Sequence, residues 1–288
     1  MQALFQQIFA GLATGGIYAS VALALVMIYQ STHHLNFAQG EMATFSTFVA
    51  WSLIQQGWPY WGAFVATIVI SFVGGVVIQR VILRPVEKAP ILTNVIVFIG
   101  LLVIFNALAG WMFDYTIKAF PSPFPKHVPG NLVSPHDLGS IAVMLVVLGL
   151  LYSFLRFTPI GLAMRAAAQN PDSARLVGIR VSWMLALGWG LAAAIGAVAG
   201  MMVAPIVFLD PQMMTGILIY GFAAALLGGV DNPLGAVIGG FVVGVLENLL
   251  GAYVIGTKLK LTVALVLIVA TLTLKPNGLF GKTVVTRV

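Results

Sequence analysis

The chain reads as long apolar stretches separated by short polar ones. Apolar runs lie near residues 5–29, 62–83, 92–112, 140–156, 183–208, 233–254 and 259–274, with two less regular ones at 40–56 and 215–230. A bilayer core takes about 20 residues of helix to cross, and most of these runs have that length. A β-barrel would show shorter segments that alternate apolar and polar side chains. These runs are apolar on every face, which selects helices. The pattern predicts an all-α, polytopic membrane helix bundle with eight or more spans, forming one transmembrane domain over residues 1–288. Residues 40–56 follow a polar stretch, and a broken or re-entrant second span is expected there.

Composition rules out the soluble alternative. Hydrophobic residues make up 60% of the chain and charged residues 8%, against roughly 25% charged in a soluble domain. Such a chain cannot build a charged surface, and a mean hydropathy of +1.03 agrees. No cysteine is present, which excludes a disulfide framework, thiolate metal sites and cysteine nucleophiles. No Lys or Arg precedes Arg80. The first apolar run therefore lacks the basic region of a signal peptide and reads as a first transmembrane helix retained in the protein.

The net charge of +6 has a source in topology rather than in nucleic acid. Arg80, Arg84, Lys88, Arg156, Arg165, Arg175, Arg180, Lys275, Lys282 and Arg287 fall on connections that alternate to one side. Lys118, Lys126, Lys258 and Lys260 fall on the other. The positive-inside bias makes the first side cytoplasmic, with the C-terminus inside, a cytoplasmic loop at about 157–182 and an outside loop at about 113–139. Alternation backward from Arg80 puts Met1 outside, whereas a re-entrant or broken 40–56 puts it inside.

Few residues could carry chemistry. Asn36-Phe-Ala-Gln39-Gly-Glu41, just after His33 and His34, lies between two apolar runs. An ionisable group there is a functional-site candidate. The rival reading is a polar interfacial loop, with Glu41 favoured by a helix N-terminus. In one regular helix Asn36 and Glu41 would point about 140° apart, so they converge only where the helix is broken. Glu247 and Asn248 lie deep in an apolar run and serve either a polar path or a structural pair. Gly228, Gly229, Asn232, Pro233 and Gly235 mark a helical hairpin, with Pro233 at a helix start that tolerates it. In the basic loop, Asn170-Pro171-Asp172 can end one short helix and cap another. This loop is rich in helix formers and apolar residues, as expected of a segment gripped by a partner or lying on the membrane surface. Catalytic motifs are missing, and residues 278–283 lack the first glycine and the strand of a phosphate-binding loop. The GxxxG spacings at Gly11–Gly15, Gly196–Gly200, Gly235–Gly239 and Gly240–Gly244 read as close helix packing.

Four ordered stretches resemble one family. They are NFAQGE at 36–41, RAAAQNPDSARLVGI at 165–179, LLGGVDNPLGAVIGG at 226–240 and KPNGLFGK at 275–282. They are similar to the signatures of permease subunits of branched-chain amino-acid ABC importers, of the LivH type. The resemblance runs from about Leu4 to Lys282. It implies an inner-membrane transport subunit that is not itself an enzyme and holds no cofactor or metal. Its implied partners are a second homologous permease, two cytoplasmic ATP-binding subunits and a periplasmic substrate-binding protein, within membrane lipid and without nucleic acid. The resemblance also implies ATPase coupling through residues 160–180, with Arg165, Ala168, Asn170, Asp172, Arg175 and Gly178 as candidates. A cytoplasmic N-terminus with a broken second helix is implied too. Gln39 stands where many relatives have His, which removes a titratable group. Asn36, Gln39, Glu41, Glu247 and Asn248 are the candidates for the substrate path. The same machine carrying urea, short amides or aromatic acids remains an alternative, as does a stand-alone secondary transporter.

Overall fold

The computed structural model describes residues 2–32, 34–87, 89–125 and 133–281. Met1, His33, Lys88, Lys126, Lys282 and Arg287, weighed above, lie outside them. The described chain is helical: α1 (Gln2–Thr32), α2 (Gln39–Gln55), α3 (Tyr60–Val86), α4 (Ile91–Phe113), α5 (Pro135–Phe157), α6 (Pro159–Gln169), α7 (Pro171–Leu176), α8 (Val181–Val207), α9 (Met213–Gly228), α10 (Pro233–Tyr253) and α11 (Lys260–Leu274). Extended pairing among the described residues is limited to one antiparallel bridge, Lys118 to Leu209.

Among the described residues, seven helices are long and apolar enough to cross a membrane: α1, α3, α4, α5, α8, α10 and α11, the last with the 3₁₀ turn before it. Two helices are shorter, α2 at 17 residues and the apolar α9 at 16. They are the two runs that looked less regular in the sequence. α3 contains one π-helical stretch at Gln79–Leu83, which widens the turn and redirects the side chains beyond it.

α1 and α8 form the interior of the bundle. Within the most apolar window of each, 89% of α1 and 72% of α8 is buried, against 28% or less for α3, α4, α5 and α11. An outer helix in lipid keeps its apolar side chains outward, because hydrocarbon outside is as good a solvent for them as the core. The interior packs through small residues. The α1 glycines at Gly11 and Gly15 lie against the α10 backbone at Gly244, Val245, Gly240 and Phe241. A Cβ placed on Gly240 would come within 2.3 Å of the Ala19 backbone, so only glycine permits this approach.

The contacts also order the helix ends. Gln30, near the end of α1, donates to the Asp231 carbonyl at 2.9 Å. His34 meets Asn94 of α4 at 3.1 Å. The tail residue Phe280 accepts from Asn232 at 3.1 Å. The C-terminal end of α1 therefore shares one end of the bundle with the α9–α10 turn, the tail and the start of α4. α1 rises about 1.5 Å per residue, which carries Gln2 to the opposite end. The second apolar run starts deep within the bundle, where Gln39 meets Ala192 of α8.

Candidate functional site

The stretch Asn36–Glu41 builds the entry to α2. The Asn36 side-chain oxygen accepts the Ala38 N–H at 3.0 Å, and its amide donates to Gln39 at 3.4 Å. Such local side-chain bonds hold an asparagine outside a helix and start the helix after it. Gln39 then donates to the Ala192 carbonyl in α8 at 2.9 Å. A Cβ on Gly196 would sit 2.6 Å from the Gln39 amide nitrogen, so glycine at 196 makes room for this strut. α2 thus begins against the middle of α8 rather than at the end of the bundle. Its other end lies near the Lys118–Leu209 bridge, with the Lys118 ammonium 5.1 Å from the Trp51 ring.

Glu41 sits two residues further on and is 5% exposed. One carboxylate oxygen accepts from Asn106 of α4 at 3.3 Å and the other from Thr215 of α9 at 3.3 Å. Asn106 also donates to the Pro211 carbonyl at 3.1 Å. Both donors are neutral, and among the described residues Glu41 forms no ion pair.

Glu247 is as deeply buried but differently paired. It forms an ion pair with Lys260 at 3.1 Å and accepts from the Tyr18 hydroxyl at 3.1 Å. Asn248 donates to Thr14 at 3.0 Å and accepts from Lys260 at 3.1 Å. Tyr18 stacks on Tyr220 with centroids 4.7 Å apart. The cluster ties α1, α9, α10 and α11 together. The five candidates for a polar path therefore fall into three settings. Asn36 joins Gln39, Glu41 faces α4 and α9, and Glu247 stands beside Asn248. All five are buried and have partners within the chain.

The basic loop folds as two short helices. Thr158 caps α6 by accepting the Gly161 N–H at 3.0 Å, and Asn170 caps α7 by accepting the Ser173 N–H at 2.9 Å. Asp172 pairs with Arg175 at 2.9 Å on the surface, an exposed contact worth little by itself. Arg165 and Ala168 are partly buried on α6. Gly178 has φ +84° with open space around its Cβ position, so the turn needs glycine for its backbone and not for room. Leu176 is 88% exposed and Val177 75%.

The hairpin and the tail make one unit. Asn232 caps α10 by accepting the Gly235 N–H at 3.1 Å, with Pro233 at the first helical position. The N–H groups of Leu279 and Phe280 bond the carbonyls of Leu227 and Gly228 at 2.7 and 3.1 Å. The tail thereby satisfies carbonyls that the end of α9 leaves open. Gly229, at φ +107°, lies so close to Gly281 and Asn277 that no side chain fits between them.

Sequence reasoning missed the partners Asn94, Asn106, Thr215, Tyr18 and Lys260. The available signal was the isolated amide in an apolar helix, since a lone Asn in such a run needs a buried acceptor.

Comparison with known proteins fits this architecture. The family model described as "Branched-chain amino acid transport system / permease component" matches residues 7–272. The chain is 32% identical over 304 residues to the high-affinity branched-chain amino acid transport system permease protein LivH of Escherichia coli strain K12, covering 98% of this chain and 97% of that protein. It is 29% identical over 300 residues to the permease protein BraD of Pseudomonas aeruginosa, covering 98% and 97%. Among solved structures, PsaBC from Streptococcus pneumoniae in complex with Fab shares the fold at TM-score 0.51 and 14% identity, covering 93% of this chain and 91% of that one. The chain belongs to the permease family of branched-chain amino acid transport systems.

Proposed function

We propose that the chain is the membrane-spanning subunit of an ABC importer for branched-chain or related apolar amino acids, with ATP hydrolysed by separate subunits. The full-length similarity to LivH and BraD supports the cargo class. The observation that carries the coupling is the α6–α7 pair, rigidly capped at both starts, with Leu176 and Val177 exposed beyond it. Apolar side chains on a basic, water-facing segment fit a protein partner better than solvent. Two cytoplasmic ATPases would grip this pair, and Arg165, Ala168, Asn170, Asp172, Arg175 and Gly178 are the contact and hinge candidates. A second homologous permease and a periplasmic binding protein complete the assembly. A stand-alone secondary transporter would leave Leu176 and Val177 uncovered.

We read the topology as nine passes. The seven long helices each cross the bilayer, α9 crosses as a short helix, and residues 34–55 cross as an irregular segment followed by α2. With the basic end cytoplasmic in a bacterial inner membrane, the tail is inside and Gln2 outside, which reverses the expected side of the N-terminus. The chain has no cysteine, so single cysteines at Gln2 and Asn277 report their sides cleanly. Labelling of both from the same side would overturn this topology.

Glu41 is our candidate for the group nearest the route. Its partners are neutral, so its charge remains available to a substrate ammonium. Charge on Glu247 is already answered by Lys260. The decisive experiment is uptake of labelled leucine by the reconstituted assembly carrying Arg165→Ala with Gly178→Ala. ATPase binding and uptake should both fall. If the ATPases still co-purify and still drive uptake, the coupling assignment is wrong.

A further inference from the structure

A second polar region lies at the basic end of the bundle, apart from the three settings above. A cavity of about 180 Å³ opens between α1, α3, α4 and α8, lined by Thr32, His34, Gln79, Leu83, Glu87, Asn94, Phe98, Leu185 and Trp189. Its volume is several times the roughly 30 Å³ share of one liquid water. It falls short of the roughly 300–1,000 Å³ of pockets for drug-sized ligands. It has room for one small molecule.

The lining has unmet capacity. Gln79 is 3% exposed and Trp189 fully buried. The Gln79 side-chain oxygen and the Trp189 indole N–H have no hydrogen-bond partner among the described residues. Buried polar atoms left in this condition are rare, and each one points to a missing partner. The π-helical stretch of α3 starts at Gln79 and ends at Leu83, so the distortion itself presents both residues to the cavity. π-bulges of this kind are often found at functional sites.

The chemistry of the wall narrows the occupant. Among the described residues of the lining, Glu87 at the exposed mouth is the one charged side chain. Thr32, His34 and Asn94 add neutral polar groups. Asn94 donates to the ring nitrogen of His34, which leaves the other ring nitrogen of a neutral imidazole as a donor. Leu83, Phe98 and Leu185 form an apolar wall. A ligand that answers all three needs an ammonium for Glu87, a carboxylate for neutral donors and a small hydrocarbon body.

We propose that this cavity is a binding site for a single apolar α-amino acid entering from the basic, cytoplasmic end. The choice of that end rests on the topology given above. Occupancy would wedge α1, α3, α4 and α8 together on the side where cargo is released.

The test uses the full chain in lipid nanodiscs with one cysteine, Thr32→Cys, at the cavity wall. L-Leucine should slow its reaction with a methanethiosulfonate reagent by threefold or more. Isoamylamine, which lacks the carboxylate, and 4-methylvalerate, which lacks the ammonium, should protect weakly or not at all. Adding Glu87→Gln should raise the leucine concentration needed by about tenfold, the loss of one charge-assisted hydrogen bond. Adding Gln79→Leu should also weaken protection, while the fold, checked by gel filtration, is retained. Equal labelling with and without leucine overturns the proposal, as does protection that survives both substitutions. No ATPase takes part in this measurement, so its failure is distinct from failure of the uptake assay.

Discussion

Glu41 and Glu247 are the two carboxylates buried in the bundle, at 5% and 4% exposure, and they differ in what neutralises them. Glu247 has a cation, a tyrosine hydroxyl and a neighbouring amide. Glu41 has an asparagine and a threonine. Burial of a charge without an opposite charge is costly, so a site that tolerates it is a candidate for function. A paired charge is explained by the fold it ties together. Depth alone therefore does not mark a transport group, and the partner does.

The largest expected effect is on the paired site. Glu247→Leu leaves the Lys260 ammonium with only the neutral Asn248 oxygen and the Tyr18 hydroxyl without its acceptor. Removing one partner of a fully buried ion pair costs roughly 3–5 kcal/mol. With the Lys260 side chain 28% exposed, the loss should fall at or below the low end of that range, seen as a clear drop in the melting transition by size-exclusion thermal analysis. Adding Lys260→Met should restore most of it, because replacing both charges by apolar groups removes the desolvation penalty too. If Lys260→Met gives no recovery, the ion pair is not what Glu247 is for, and the contrast with Glu41 collapses.

Glu41→Gln comes next and should act in the opposite way. It keeps the shape and relieves a buried charge, so the melting transition should hold or rise. Leucine uptake should fall about tenfold or more, from the roughly 1.5–3 kcal/mol of a hydrogen bond to a charged group. Unchanged uptake would move the route away from Glu41.

The two sites were not equally visible in the sequence. Both glutamates stood out as charges in apolar runs, and so did the helix starts. Asn170 and Asn232, each before a proline, cap α7 and α10, because capping is local and depends on a few neighbouring residues. The glycine spacings foretold close packing, and Gly11 and Gly15 do meet Gly240 and Gly244. Pairing across the bundle was not legible. Lys260 read as a loop cation on the outer side, yet it turns back past Thr257–Leu259 to reach Glu247. Asn106 and Thr215 come from helices remote in sequence and meet Glu41 only once α2, α4 and α9 are packed. The side of the N-terminus is not legible either, because it depends on whether residues 34–55 traverse the bundle, which hydropathy does not decide.

The smallest effect compares one neutral donor at each site. Tyr18→Phe removes a hydroxyl from Glu247, which still keeps Lys260. It should cost about 1 kcal/mol, the net value of one hydrogen bond, and leave uptake near normal. Asn106→Leu takes one of only two donors from Glu41, and it also frees the Pro211 carbonyl. It should cost more, toward the roughly 1–3 kcal/mol of unsatisfied buried groups. Pairing it with Glu41→Gln sharpens the reading. If the Asn106 bond serves the charge, the double variant should lose less stability than the sum of the two single changes. A sum that is simply additive would mean that Asn106 holds Pro211 and the α8–α9 connection, and that the charge on Glu41 is carried without it.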